Sequence, residues 1–78
     1  MSQRLPRVTA AEVIRVLEKR GFTLVRQSGS HRIYKDVDGK RVTVAFHSGK
    51  VLHPKVVKSI LRDANLTVEE FAQLLKSN

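Results

Sequence analysis

Histidine is the residue type that exchanges a proton near neutral pH, and this chain carries three: His31, His47 and His53. His31 has the most suggestive setting, Arg26-Gln27-Ser28-Gly29-Ser30-His31-Arg32-Ile33-Tyr34. A Ser-Gly-Ser turn precedes it, and Arg26, Arg32 and Lys35 lie within five positions. Such a group suits cleavage of an RNA backbone without a metal. The neighbouring 2′-hydroxyl is the nucleophile, one group removes its proton, another protonates the leaving oxygen, and cations stabilise the phosphorane charge. The glycine lets a backbone approach closely. Ser30 joins Arg26, Arg32 and Lys35 as a candidate phosphate contact. A strand-end histidine hydrogen-bonded to a helix carbonyl explains the same residues, and residue chemistry alone favours that structural role.

His47 and His53 flank a loop containing Ser48-Gly49-Lys50, ahead of Pro54. Either could approach His31 if the loop folds over the strand ends, which makes His47 a secondary catalytic candidate; both also read as ordinary loop histidines. A metal site is not expected, because ligand histidines need a second-shell carboxylate or carbonyl and no acid lies close to these three. Lys55 and Lys58 fall in the opening turns of a helix, where positive charge opposes the macrodipole. With Lys50 they would form a phosphate seat beside free helix-start amides, unless solvent screening makes their placement harmless. Tyr34 with Arg32 and Arg41 reads either as a base-stacking platform or as a face covered by a protein partner.

The elements that must hold these residues follow in order. Residues 1–8 read as a loose basic arm and residues 9–78 as a single domain. Thr9-Ala10-Ala11-Glu12 fits a capping box, opening a helix with Val13, Ile14, Val16 and Leu17 buried, and Gly21 suits its left-handed C-terminal cap. Phe22 to Gln27 alternates as a half-buried strand, with Phe22 and Leu24 inward. A second strand runs over His31 to Asp36. Placing Ile33 in the core sends His31 and Lys35 inward with it and Arg32 and Tyr34 outward. Asp38-Gly39 signals a two-residue hairpin into a third strand, Lys40 to Phe46, with Val42, Val44 and Phe46 inward and Arg41 and Thr43 on the outer, uncovered face. Pro54 starts a second helix with Val56, Val57, Ile60 and Leu61 buried, which Asn65 can end. Thr67-Val68-Glu69-Glu70 repeats the capping box for a last helix bearing Val68, Phe71, Leu74 and Leu75. This is an α+β order, α-β-β-β-α-α, with helices expected on one face of a three-stranded antiparallel sheet.

Composition narrows the function classes. At 78 residues the chain suits one domain that buries only about 60% of its unfolded surface, and without cysteine no disulfide or Cys-rich metal knot supports it. The segment Met1 to Arg7 is positive but leads into no apolar run, so neither a signal peptide nor a membrane span is expected, and the protein reads as cytoplasmic. Fifteen Lys and Arg against seven Asp and Glu give a net charge of +8. Between Lys19 and Lys58 stand ten basic residues and two acids, Asp36 and Asp38, so the whole excess lies there and the flanks are neutral. A basic middle predicts attraction to a polyanion, most simply nucleic acid.

One resemblance fits these segments together. Val13-Ile14-Arg15-Val16-Leu17-Glu18-Lys19-Arg20-Gly21-Phe22, Leu24 to His31, Val42-Thr43-Val44, His47-Ser48-Gly49-Lys50 and Ser59-Ile60-Leu61-Arg62-Asp63-Ala64 resemble the HicA family of toxin mRNA interferases over about Ala10 to Phe71. The resemblance implies a double-stranded-RNA-binding-domain-like fold and an endoribonuclease that cleaves mRNA. It also implies no cofactor, a HicB-type antitoxin that masks the active site, and a catalytic role for His31. Arg32 departs from a second histidine found in many relatives, and Lys55-Val56 after Pro54 from a Gly-Thr. The competing expectation is a non-catalytic RNA-binding module of the same fold.

Overall fold

A computed structural model describes residues 5–77. The first helix, α1 (Ala10–Lys19), starts where local chemistry dictates. Thr9 Oγ1 accepts from the Glu12 N–H at 3.3 Å and Glu12 Oε1 accepts from the Thr9 N–H at 2.9 Å, so two orphan donors are satisfied reciprocally. The helix ends in a Schellman motif: the Gly21 N–H donates to Glu18 O at 3.0 Å and the Phe22 N–H to Leu17 O at 2.9 Å. That geometry places Gly21 at φ +95°, a backbone region which a Cβ disfavours. Val13, Ile14, Val16 and Leu17 are all buried, as their spacing requires.

Three strands follow, β1 (Thr23–Ser28), β2 (His31–Lys35) and β3 (Arg41–Ala45), in the antiparallel order β1-β2-β3. The helices α2 (Pro54–Ala64) and α3 (Val68–Lys76) complete the chain. This is the double-stranded-RNA-binding-domain-like α+β order. Both α1 and α2 pack on β3, and α3 packs on α1. No residue of β1 is buried on either face. Residues 1–4 of the expected arm lie outside the described residues; beyond them Val8 is a core residue and Leu5 packs against that core. Val8 O also accepts from the Leu52 N–H at 2.8 Å.

The face assignment of β2 corrects the expectation from sequence. Tyr34, not Ile33, points into the core and is 2% exposed. It pairs with Val42 while Arg32 pairs with Val44, and both valines are 0% exposed. His31, Ile33 and Lys35 therefore share the uncovered face with their partners Ala45, Thr43 and Arg41. His31 points out of the core, and Arg41 and Thr43 keep company with it rather than with Arg32 and Tyr34. Between Ile33 and Tyr34, the space beneath the helices takes the larger aromatic, whose burial removes a large apolar surface from water.

Three further expectations change. Leu24 lies opposite Tyr34, yet it is 48% exposed because the helices are packed over β3 at the far side of the sheet. Val56 is 41% exposed; Val57, Ile60, Leu61 and Ala64 carry the buried stripe of α2. The second hairpin is wider than a two-residue turn. Asp36 Oδ1 accepts from the N–H groups of Asp38 at 3.1 Å and Lys40 at 2.8 Å, and Gly39, at φ +87°, donates to Asp36 O. The other cap residues behave as expected: Asn65 ends α2 at φ 57°, and Thr67 with Glu70 forms a second capping box.

Replacing Tyr34 by Ala should cost about 3–5 kcal/mol, whereas Ile33→Ala on the open face should cost distinctly less; urea denaturation of the two variants checks the assignment. Acid provides a second test. Burial pulls the Asp36 carboxyl upward, but hydrogen bonds from the Lys40 N–H and side chain outweigh it and leave the group below its usual value of 3.8. The Thr67 backbone N–H likewise holds Glu70 below 4.5. Folded values below unfolded ones mean a contribution that is present above those usual values and lost as pH falls through the lowered ones. Stability should therefore hold through neutral pH and decline in that acid range, and Asp36→Asn should flatten the decline in a melting-temperature series.

Candidate functional site

Local chain chemistry builds the end of the sheet that carries His31. Ser28 of β1 pairs with His31 of β2 across a two-residue loop, Gly29-Ser30. Gly29 takes φ +58°, which tight hairpin loops require and glycine supplies at no steric cost. On the other side His31 pairs with Ala45. One residue further, the Phe46 N–H donates to Ser30 O at 2.7 Å, so the β1–β2 loop is pinned to the end of β3. His31 sits in the middle strand at this end, exposed, and among the described residues its ring makes no side-chain hydrogen bond. His47 follows Phe46 directly, which places a second exposed histidine at the same end of the sheet.

The seven candidate phosphate contacts do not form one cluster. Arg26 reaches the open face through a bulge. The register with β2 slips between Leu24 and Arg26, so Leu24 opposes Tyr34 while Arg26 opposes Ile33. Without the slip, residues 24 and 26 would share a face; with it Val25 and Arg26 line an open groove with Ile33, Lys35 and Arg41. Lys35 is on the same face as His31 but at the other end of β2, four residues or about 13 Å along the strand. Ser30 adjoins His31 in the loop.

Arg32 lies on the opposite face. Its guanidinium stacks on the Phe46 ring, 4.0 Å from the centroid, and its Nε is buried without a hydrogen-bond partner. The parity that buries Tyr34 also turns Arg32 toward the helices, so the expected Arg32-Tyr34-Arg41 platform does not exist. Lys50, Lys55 and Lys58 are exposed and belong to the loop and opening turns of α2.

Sequence reasoning missed the part played by His53. It is the N-cap of α2, and its Nδ1 accepts from the Lys55 N–H at 3.1 Å. The signal was the position before Pro54, since proline prefers the first helical turn and leaves the preceding residue to cap it. A histidine in place of Ser, Thr, Asp or Asn hides that signal. No acid stands in the first turn of α2, so Lys55 and Lys58 face its amide end without a carboxylate.

Ion pairs sharpen the electrostatics. Among the described residues, acids engage Arg20, Lys40 and Arg62. Arg26, Lys35 and Arg41 on the open face, and Lys50, Lys55 and Lys58 at α2, have no such partner. The described residues contain no group of three or more His, Asp or Glu placed to hold a metal ion, and no helix among them is long and apolar enough to cross a membrane.

Comparison with known proteins gives one finding. A family model described as the HicA toxin of bacterial toxin–antitoxin systems matches residues 10–66, which spans α1, the whole sheet and α2. No curated protein matches the chain significantly.

His53→Ala should remove the α2 cap and cost about 1 kcal/mol. Chemical denaturation measures the loss, and His53→Asp, which supplies a strong capping oxygen, should restore it.

Proposed function

Because the chain belongs to the HicA toxin family, and so is the toxin of a toxin–antitoxin pair with a cognate antitoxin as partner, we propose that it is an endoribonuclease that cleaves mRNA through proton transfer at His31. One observation supports this above the others: His31 is exposed at the end of an uncovered sheet face whose cations lack acidic partners. A backbone phosphate lying on that face meets a group able to exchange a proton, a loop carrying the Ser30 hydroxyl, and the guanidinium of Arg26.

The chemistry follows from these groups. One imidazole takes the proton of the 2′-hydroxyl as its oxygen attacks phosphorus; the bond to the 5′-oxygen breaks, and a proton delivered to that oxygen completes the exchange. His31 supplies one of the two transfers and His47, at the same end of the sheet, is the candidate for the other. Arg26 neutralises the pentavalent phosphorane. Lys35 lies too far along β2 to reach the same phosphate and instead holds a neighbouring one, as do Lys50, Lys55 and Lys58 beside α2. No metal is required by this scheme.

A non-catalytic RNA-binding module is the second reading, favoured by the absence of any group orienting the His31 ring among the described residues. It assigns the same cations to shape-dependent backbone contacts.

Purified protein should cleave RNA in EDTA, and His31→Ala should lower the rate by about 100-fold or more with an unchanged circular dichroism spectrum, since His31 is exposed. Equal cleavage by both proteins removes His31 from the mechanism. Binding by both with a steep salt dependence and no cleavage by either selects the non-catalytic module.

A further inference from the structure

The free edge of β1 is the most unusual surface of the molecule. Edge strands present unpaired backbone N–H and C=O groups, and folded proteins commonly shorten, charge or cover them. Here β1 is six residues long, none of them buried, with Leu24 48% and Val25 52% exposed. Alternation aims these two apolar side chains to different faces, and the bulge brings Arg26 to the face of Val25. Leu24 opposes Tyr34 on the helix side, while Val25 joins Arg26, Ile33, Lys35 and Arg41 in the open groove. The groove thus carries three cations without acidic partners beside two aliphatic side chains.

We infer that β1 is the docking strand for an extended segment of the cognate antitoxin, which adds to the sheet edge with carboxylates toward the groove and apolar side chains toward Leu24. Strand addition supplies affinity through main-chain hydrogen bonds and specificity through alternate side chains. The alternation of the partner follows from the two faces of β1. Positions on the open side meet Arg26, with Lys35 and Arg41 beyond it, and favour Asp or Glu; the intervening positions meet Leu24 and favour aliphatic residues.

Charge and chemistry argue against other occupants. A second copy of this chain, with its net charge of +8, would bring the same cations against each other. RNA can meet the cations of the open face through its phosphates, but the β1 edge offers its bases no aromatic ring to stack on. None lies on the open face: Phe22, Tyr34 and Phe71 are buried and Phe46 lies beneath Arg32. Leu24 and Val25 offer nothing to a phosphate. The assignment rests on the toxin–antitoxin membership of the chain and is independent of ribonuclease activity.

Hydrogen exchange of the full chain, alone and with its cognate antitoxin, gives the direct test. Amides of β1 from Thr23 to Ser28 that exchange fast in the free protein should become protected in the complex. Leu24→Ser, at a half-exposed position outside the candidate catalytic and phosphate-binding residues, should weaken antitoxin binding at least tenfold in calorimetry and leave RNA cleavage unchanged. Unaltered β1 exchange in a stoichiometric complex overturns the inference, as does antitoxin affinity unaffected by Leu24→Ser. Weakened RNA binding by Leu24→Ser with full antitoxin affinity overturns it in favour of RNA. Should the protein prove unable to cleave RNA, the exchange and affinity measurements still decide the docking strand.

Discussion

The burial of Tyr34 is the constraint on which the rest of this structure depends. Side chains alternate along a strand with a period of two, so fixing one residue in the core fixes every other residue of that strand. With Tyr34 packed against Val42 and Val44 beneath α1 and α2, β2 has no freedom to bury His31 or Lys35. The antiparallel register then passes the decision to β3, where Arg41, Thr43 and Ala45 follow His31 outward. A single aromatic ring thereby separates a packed face from a face of cations around a solvent-accessible histidine.

The same constraint explains which features were legible in the sequence. Helix boundaries were, because capping is local: Thr9 with Glu12, Gly21, Asn65, and Thr67 with Glu70 each act within a few residues of themselves. The order of elements and the buried stripe of α1 were legible for a similar reason, since four apolar residues at helical spacing leave no second choice of face. The parity of β2 was not. Ile33 and Tyr34 are adjacent apolar residues in a five-residue strand, and either can be placed inward with an equally regular alternation. What decides between them is the volume available under the helices, a tertiary quantity. The bulge at Val25 was hidden likewise, because nothing in Leu24-Val25-Arg26 marks where the register slips.

The candidate site shows the same division. His31 was legible as a residue beside a glycine turn, but its accessibility came from Tyr34, and the loss of Arg32 from the site came with it. Arg32 is not idle. Its guanidinium covers the Phe46 ring, which packs against the core at the end of β3. A stacked guanidinium is more weakly hydrated than an ammonium, so this position tolerates partial burial that Lys would resist. Its Nε is buried without a partner among the described residues, so the stacking on Phe46 is the contact that holds the guanidinium in place. Arg32 therefore contributes to holding the strand end that bears His31, and a phosphate on the open face never meets it.

Charge distribution links this architecture to partnership. Four of the seven acids are engaged in local structure: Glu12 and Glu70 close capping boxes, and Asp36 and Asp38 hold Lys40 in the hairpin. Asp63 pairs with Arg62, and Glu18 and Glu69 belong to α1 and α3 rather than to the sheet, so Arg26, Lys35 and Arg41 repel one another across a face that no helix covers. Self-repulsion of that kind destabilises the compact state and rewards any bound anion. On the proposed readings two partners would relieve it, a nucleic-acid backbone or the carboxylates of a protein, and they would meet the same side chains, Arg26 and Lys35. Occupation by one then lowers the affinity for the other by simple linkage, without any conformational change in the fold. On the proposed function and docking strand, the toxin's inhibition would be encoded in the electrostatics that attract its substrate, and the apolar edge of β1 would be the element that distinguishes a protein partner from RNA.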